Sequence, residues 1–88
     1  MNELVLLKNK IKYRSTYRGT KEMDKLLGAF TNKYINELSN EDLTNLEKLL
    51  EIDDNNLYNF YNGLKIDIKI EENKINLLFK NFKYEEYK

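Results

Sequence analysis

An all-α fold, a small bundle of five short helices forming a single domain over residues 1–88, is what the sequence predicts, and three observations predict it. The 88 residues contain no proline and three glycines, so few hard breakers interrupt the chain. Apolar residues recur at spacings of three and four along most of its length, which is the period of a helix face. Ser39 and Asp53 stand at helix-starting positions just ahead of two such runs.

A first helix is expected over about residues 3–17, with Leu4, Leu7 and Ile11 on one face and Lys8, Lys10 and Lys12 outward. Gly19 interrupts or bends the path. A second helix, about 20–37, carries Met23, Leu26, Leu27, Phe30 and Tyr34, the most regular amphipathic spacing in the chain. Ser39 followed by Asp42 is a near relative of the capping box and opens a third helix bearing Leu43, Leu46, Leu49 and Leu50. Asp53 and Asp54 supply a second cap and an acid-favoured first turn for a short fourth helix with Leu57, Phe60 and Tyr61, which Gly63 ends. Ile66, Ile68 and Ile70 alternate with charged residues, as in a strand. A lone strand has no partner for its backbone groups, so 64–70 reads as an extended connector. It feeds a last helix, about 71–83, with Ile75, Leu78, Phe79 and Phe82 at helical spacing. Residues 84–88 are expected to form a frayed tail.

Composition removes several classes of function. With neither cysteine nor histidine, the chain has no thiol nucleophile, no disulfide, no thiolate metal site and no imidazole base. The run Leu4-Val5-Leu6-Leu7 is far too short for a signal core, and no apolar stretch approaches a bilayer's thickness. Formal net charge is zero, which argues against strong nonspecific nucleic-acid binding. The zero conceals an asymmetry. Residues 8–25 carry seven basic side chains against two acids, a local charge of +5, and residues 37–56 carry seven acids against one lysine, a local charge of −6. Such faces either orient an encounter with a partner or attract each other within the fold. The acids at 41–54 lack the rhythm of a calcium loop.

The segment from Tyr13 to Asp24 holds the only two arginines among fifteen basic residues, Arg14 and Arg18, four positions apart. Arginine's planar fork pairs bidentately with carboxylates and phosphates, so arginines in a lysine-rich chain point to geometric contacts. Arg18, Gly19 and Glu22 either present a charged face with a bare backbone between, or form an internal Arg–Glu pair beside a helix break.

Read from Tyr13 to Phe30, the stretch Y-R-S-T-Y-R-G-T-K-E-M-D-K-L-L-G-A-F resembles the signature of the SdhE-type FAD assembly factors, whose mitochondrial counterpart is succinate dehydrogenase assembly factor 2. The core R-G-x-x-E followed by an acid is met by Arg18, Gly19, Glu22 and Asp24. The similarity continues through Leu38-Ser39, Leu49-Leu50-Glu51, Asp53-Asp54, Leu57-Tyr58 and Gly63, covering roughly residues 10–63. Tyr17 stands where the family often has a second basic residue, no tryptophan occurs near Phe60, and residues 64–88 match weakly.

That resemblance implies a five-helix protein that is no enzyme. It would bind the flavoprotein subunit of succinate dehydrogenase, or in some bacteria fumarate reductase, and promote covalent attachment of FAD to a histidine there. The cofactor would reside on the partner, with none held stably by this chain. Partner-binding residues carried over are Arg14, Tyr17, Arg18, Gly19, Glu22 and Asp24, with Asp24 equally suited to favouring its helix start. A bacterial cytoplasmic protein, monomeric when free and inserted in no membrane, is expected. The alternatives are a basic-faced module for nucleic acid or a generic protein-interaction module. A carboxylate-pair enzyme built on Glu22 and Asp24 is rejected, because side chains two apart on a helix diverge.

Overall fold

The computed structural model describes residues 2–84 and contains five helices: α1 (Glu3–Thr16), α2 (Lys21–Tyr34), α3 (Asn40–Leu50), α4 (Asp54–Tyr61) and α5 (Lys74–Lys80). The expected all-α bundle is observed, and no strand occurs among the described residues. The expected frayed tail lies outside the described residues except for Tyr84. No helix among them is long and apolar enough to cross a membrane.

Every helix opens on a polar side chain that accepts a backbone N–H three residues on. These caps are Asn2, Thr20, Ser39, Asp53 and Asn73, bonded to Val5, Met23, Asp42, Asn56 and Asn76 respectively. Each satisfies one of the donors a helix start leaves over. The fourth helix closes as its sequence predicts. Gly63 takes a φ of 73°, its N–H donates to Phe60 O at 3.2 Å, and Leu64 N–H donates to Asn59 O at 2.8 Å. This double bond is the Schellman closure that favours glycine.

Two elements are shorter than their spacing predicts. The second helix stops at Tyr34 rather than near 37, although Ile35 remains buried just beyond it. The last helix runs from Lys74 to Lys80 instead of 71–83, because Asn73 turns extended (φ −146°) to cap it and Asn81 ends it. Upstream of that cap, Asn76 Nδ2 donates to Glu71 O at 2.8 Å. The connector is likewise held by a buried amide. Asn56 Oδ1 accepts from Asp67 N–H at 3.3 Å while Asn56 Nδ2 donates to Asp53 Oδ1 at 2.8 Å.

Leu27, Phe30, Leu43, Leu46, Leu57, Ile75 and Phe79 are fully buried and draw on four of the helices; Ile11 joins them from α1. α1 packs on α2 and α3, and α5 packs on α3 and α4. Phe30 is the aromatic hub, with ring centroids 5.2 Å from Tyr34, 5.4 Å from Phe79 and 5.5 Å from Phe82. Tyr61 lies against Phe79 and donates its hydroxyl to Phe82 O, which fastens the chain after α5 to α4. The face expected on α1 is narrower than its spacing suggests. Ile11 is sealed and Leu7 half-buried, but Leu4 is exposed, and the polar Ser15 fills the next inward position. Its hydroxyl is satisfied by Lys12 O at 2.9 Å.

The charge asymmetry is met in part inside the fold. Lys10 pairs with Glu47 at 2.7 Å, Arg14 approaches Glu51 at 3.9 Å, and Arg18 pairs with Asp54 at 2.8 Å. One stripe of basic residues on and just after α1 thus runs against the acids of α3 and the start of α4. In the first two pairs the cation is well exposed, which leaves them individually weak; in the third the arginine is largely buried.

Candidate functional site

Where α1 gives way to α2, the chain passes within reach of the corner between α3 and α4, and Arg18 knits the two corners together. Its side chain is only 10% exposed. Nε donates to Asp54 Oδ1 at 2.8 Å, Nη1 to Leu50 O at 2.7 Å and Arg14 O at 3.3 Å, and Nη2 to Ile52 O at 2.7 Å. Leu50 closes α3 and Arg14 lies in the last turn of α1, so the guanidinium caps two carboxyl ends at once. A lysine has one nitrogen and could not span these acceptors.

Asp54 is the matching hub. While Oδ1 takes the Arg18 bond, Oδ2 accepts the N–H of Gly19 at 2.8 Å. A Cβ on Gly19 would stand 3.1 Å from that same oxygen, so the absence of a side chain is what lets the backbone come this close. The loop is tied from its other side by Asp24, whose carboxylate accepts the Arg18 backbone N–H. A neighbouring acid is set by similar bonding. The Asn56 side-chain amide, then the Asn56 backbone N–H, hold the Asp53 carboxyl below the usual aspartate value.

These bonds separate the residues singled out from the sequence. Arg18 and Glu22 were expected to display charge on one shared face, but Arg18 lies before the helix and turns inward, and its ion-pair partner is Asp54 rather than Glu22. Asp24 is turned to the loop backbone. Arg14 is partly exposed, Tyr17 is 70% exposed with its ring 4.6 Å from that of Tyr13, and Gly19 is exposed. Glu22 is exposed on the first turn of α2 and makes no ion pair among the described residues.

Glu22 stands between two grooves. One, of about 400 Å³, is lined by Thr20, Glu22, Met23, Asp54, Asn55 and Tyr58. The other, of about 320 Å³, shares Glu22, Met23 and Tyr58 and adds Leu26, Tyr61 and Lys25 among its walls. Asp54, Asn55 and Tyr58 were not singled out as site residues. The doublet Asp53-Asp54 carried a signal for the first of them, since one cap needs one carboxylate and leaves the second for an arginine. Nothing in the spacing of α4 marks Tyr58, which sits within an ordinary amphipathic pattern.

Comparison with known proteins adds to this geometry. A relative in Acetobacter pasteurianus, named FAD assembly factor SdhE, is 32% identical over 62 residues, a match covering 70% of this chain and 57% of that protein. The chain therefore spans little more than half the length of that relative. No solved structure matches. The family model described as flavinator of succinate dehydrogenase matches residues 9–83, a span that holds the Arg18 knot, Glu22 and both grooves, and to that family the chain belongs.

Proposed function

We propose that this protein is an assembly factor that binds the flavoprotein subunit of succinate dehydrogenase and promotes covalent attachment of FAD to it. The observation that carries this is the family match over residues 9–83, which includes an exposed carboxylate, Glu22, with no cation partner among the described residues. The chain acts as a helper rather than an enzyme. Flavin and the acceptor histidine belong to the partner, and this chain holds no FAD stably. By docking, it favours a subunit arrangement in which the two groups meet, so it supplies proximity and preorganisation from outside the reaction centre.

Within that role the motif residues divide. Glu22, Gly19, Tyr17 and Arg14 form the docking surface, and Arg18 and Asp24 are positioning residues that fix the loop carrying it. The free protein is a cytoplasmic monomer. Nucleic acid is a poorer partner, because the net charge is zero and three of the cations such binding would use, Lys10, Arg14 and Arg18, pair with Glu47, Glu51 and Asp54.

The test is co-expression of the flavoprotein subunit with and without this chain, followed by denaturing electrophoresis and in-gel flavin fluorescence. A fluorescent subunit band that strengthens several-fold with the chain, together with co-purification of the two proteins, is expected. Equal fluorescence in both samples overturns the assignment.

A further inference from the structure

Resting on the assembly role proposed above, we infer that the partner presents a segment that straddles Tyr58, with a cationic side chain, best an arginine, on the Asp54 side and an aliphatic side chain on the Leu26 side. Glu22, Met23 and Tyr58 are common to both grooves, so whatever fills the two together must cross these three residues.

The chemistry of the two sides differs. The groove toward Asp54 contains two carboxylates and no basic residue. Asp54 is neutralised by Arg18 and Gly19, which leaves Glu22 as its unmatched charge. Thr20, Met23, Asn55 and Tyr58 complete the lining, and Tyr58 is 50% exposed with no aromatic neighbour among the described residues. A carboxylate beside a bare aromatic face suits a guanidinium, which pairs with the one through its fork and stacks on the other.

The groove on the other side is walled mainly by Met23, Leu26, Tyr61 and Tyr84, all buried or half-buried, with Asn62 beside them. Lys25 stands at its rim outside ion-pairing distance of Glu22. A cation entering here meets a like charge, and an apolar side chain meets an apolar wall. Charge complementarity therefore fixes which way round the segment lies.

The experiment is calorimetric titration of the purified flavoprotein subunit with this protein and three variants, Tyr58→Phe, Tyr58→Leu and Glu22→Gln, at low and high salt. Their thermal melts are checked against the parent, and Tyr58 is exposed enough for all three to fold. Binding is expected to survive Tyr58→Phe and to weaken about tenfold in Tyr58→Leu, which keeps apolar bulk but loses the aromatic face. Glu22→Gln is expected to weaken binding similarly and to flatten its salt dependence. Unchanged affinity in Tyr58→Leu, or an undiminished salt dependence in Glu22→Gln, overturns this inference while leaving the assembly role standing. Failure of the parent protein to bind the subunit at all overturns both.

Discussion

Arg18 and Asp54, thirty-six positions apart, meet through Nε and Oδ1 at 2.8 Å, and the other oxygen of the same carboxylate takes the Gly19 N–H. Through this pair the α1–α2 corner is fastened to the α3–α4 corner, and the R-G-x-x-E segment becomes partly an internal joint. Charge inside the joint is matched and every guanidinium nitrogen donates, the condition under which a largely buried ion pair is favourable.

Stability should therefore respond strongly to Arg18. Arg18→Ala is expected to lower the free energy of unfolding by about 2–4 kcal/mol, because Asp54 and three carbonyls lose their donor in a poorly hydrated corner. Arg18→Lys should recover only part of this, since one ammonium cannot reach acceptors on three segments. Urea denaturation monitored by circular dichroism checks both; an Arg18→Ala protein as stable as the parent would show the joint to be ornamental.

At Gly19 the expected outcome is a separation of fold from function. Gly19→Ala places a methyl 3.1 Å from Asp54 Oδ2, which shifts by a few tenths of an ångström at a cost of about 1 kcal/mol or less. Gly19→Arg, on an exposed loop, should still fold yet obstruct the docking surface. Folded, abundant Gly19→Arg protein that supports normal flavin incorporation would remove this residue from that surface.

The remaining glycines should respond with opposite signs. Gly63 holds a φ of 73°, so Gly63→Ala is expected to destabilise by about 1 kcal/mol. Gly28 lies within α2 with open space where a methyl would go, so Gly28→Ala should stabilise by about 0.5–1 kcal/mol. Thermal melts of the two variants side by side test the pair.

Acid stability should carry the mark of Asp53. Hydrogen bonds from Asn56 hold this carboxyl below its ordinary value of 3.8 in the folded protein. A depressed folded value means the contribution is complete above the unfolded value and is lost as pH falls through the folded one. Asp53→Asn keeps a capping oxygen but does not titrate, so its stability should fall less steeply below about pH 4. Parallel acid-unfolding curves for parent and variant would contradict this.

How far the sequence discloses this molecule depends on the range of the forces involved. The helices from Met23 to Phe30 and from Leu43 to Leu50 are legible because local periodicity and caps agree with tertiary burial. The shortened last helix was not, because apolar spacing does not reveal that Asn73 turns extended to cap the Asn76 N–H, or that the Asn76 amide holds Glu71 O ahead of the helix. The site shows the same limit. Exposed Glu22 and Gly19 follow from local pattern, whereas the inward turn of Arg18 depends on Asp54, Leu50 and Ile52, which sequence spacing does not place beside it. Tyr58 reaches the site only because α4 packs next to the start of α2.

The most direct test of the account is in-gel flavin fluorescence of the flavoprotein subunit co-expressed with Glu22→Ala protein at matched abundance, beside a thermal melt of that variant. The account predicts a melt within error of the parent, because the Glu22 carboxylate pairs with nothing among the described residues, and fluorescence reduced toward the level seen with no helper. Full fluorescence with a folded Glu22→Ala protein would contradict it.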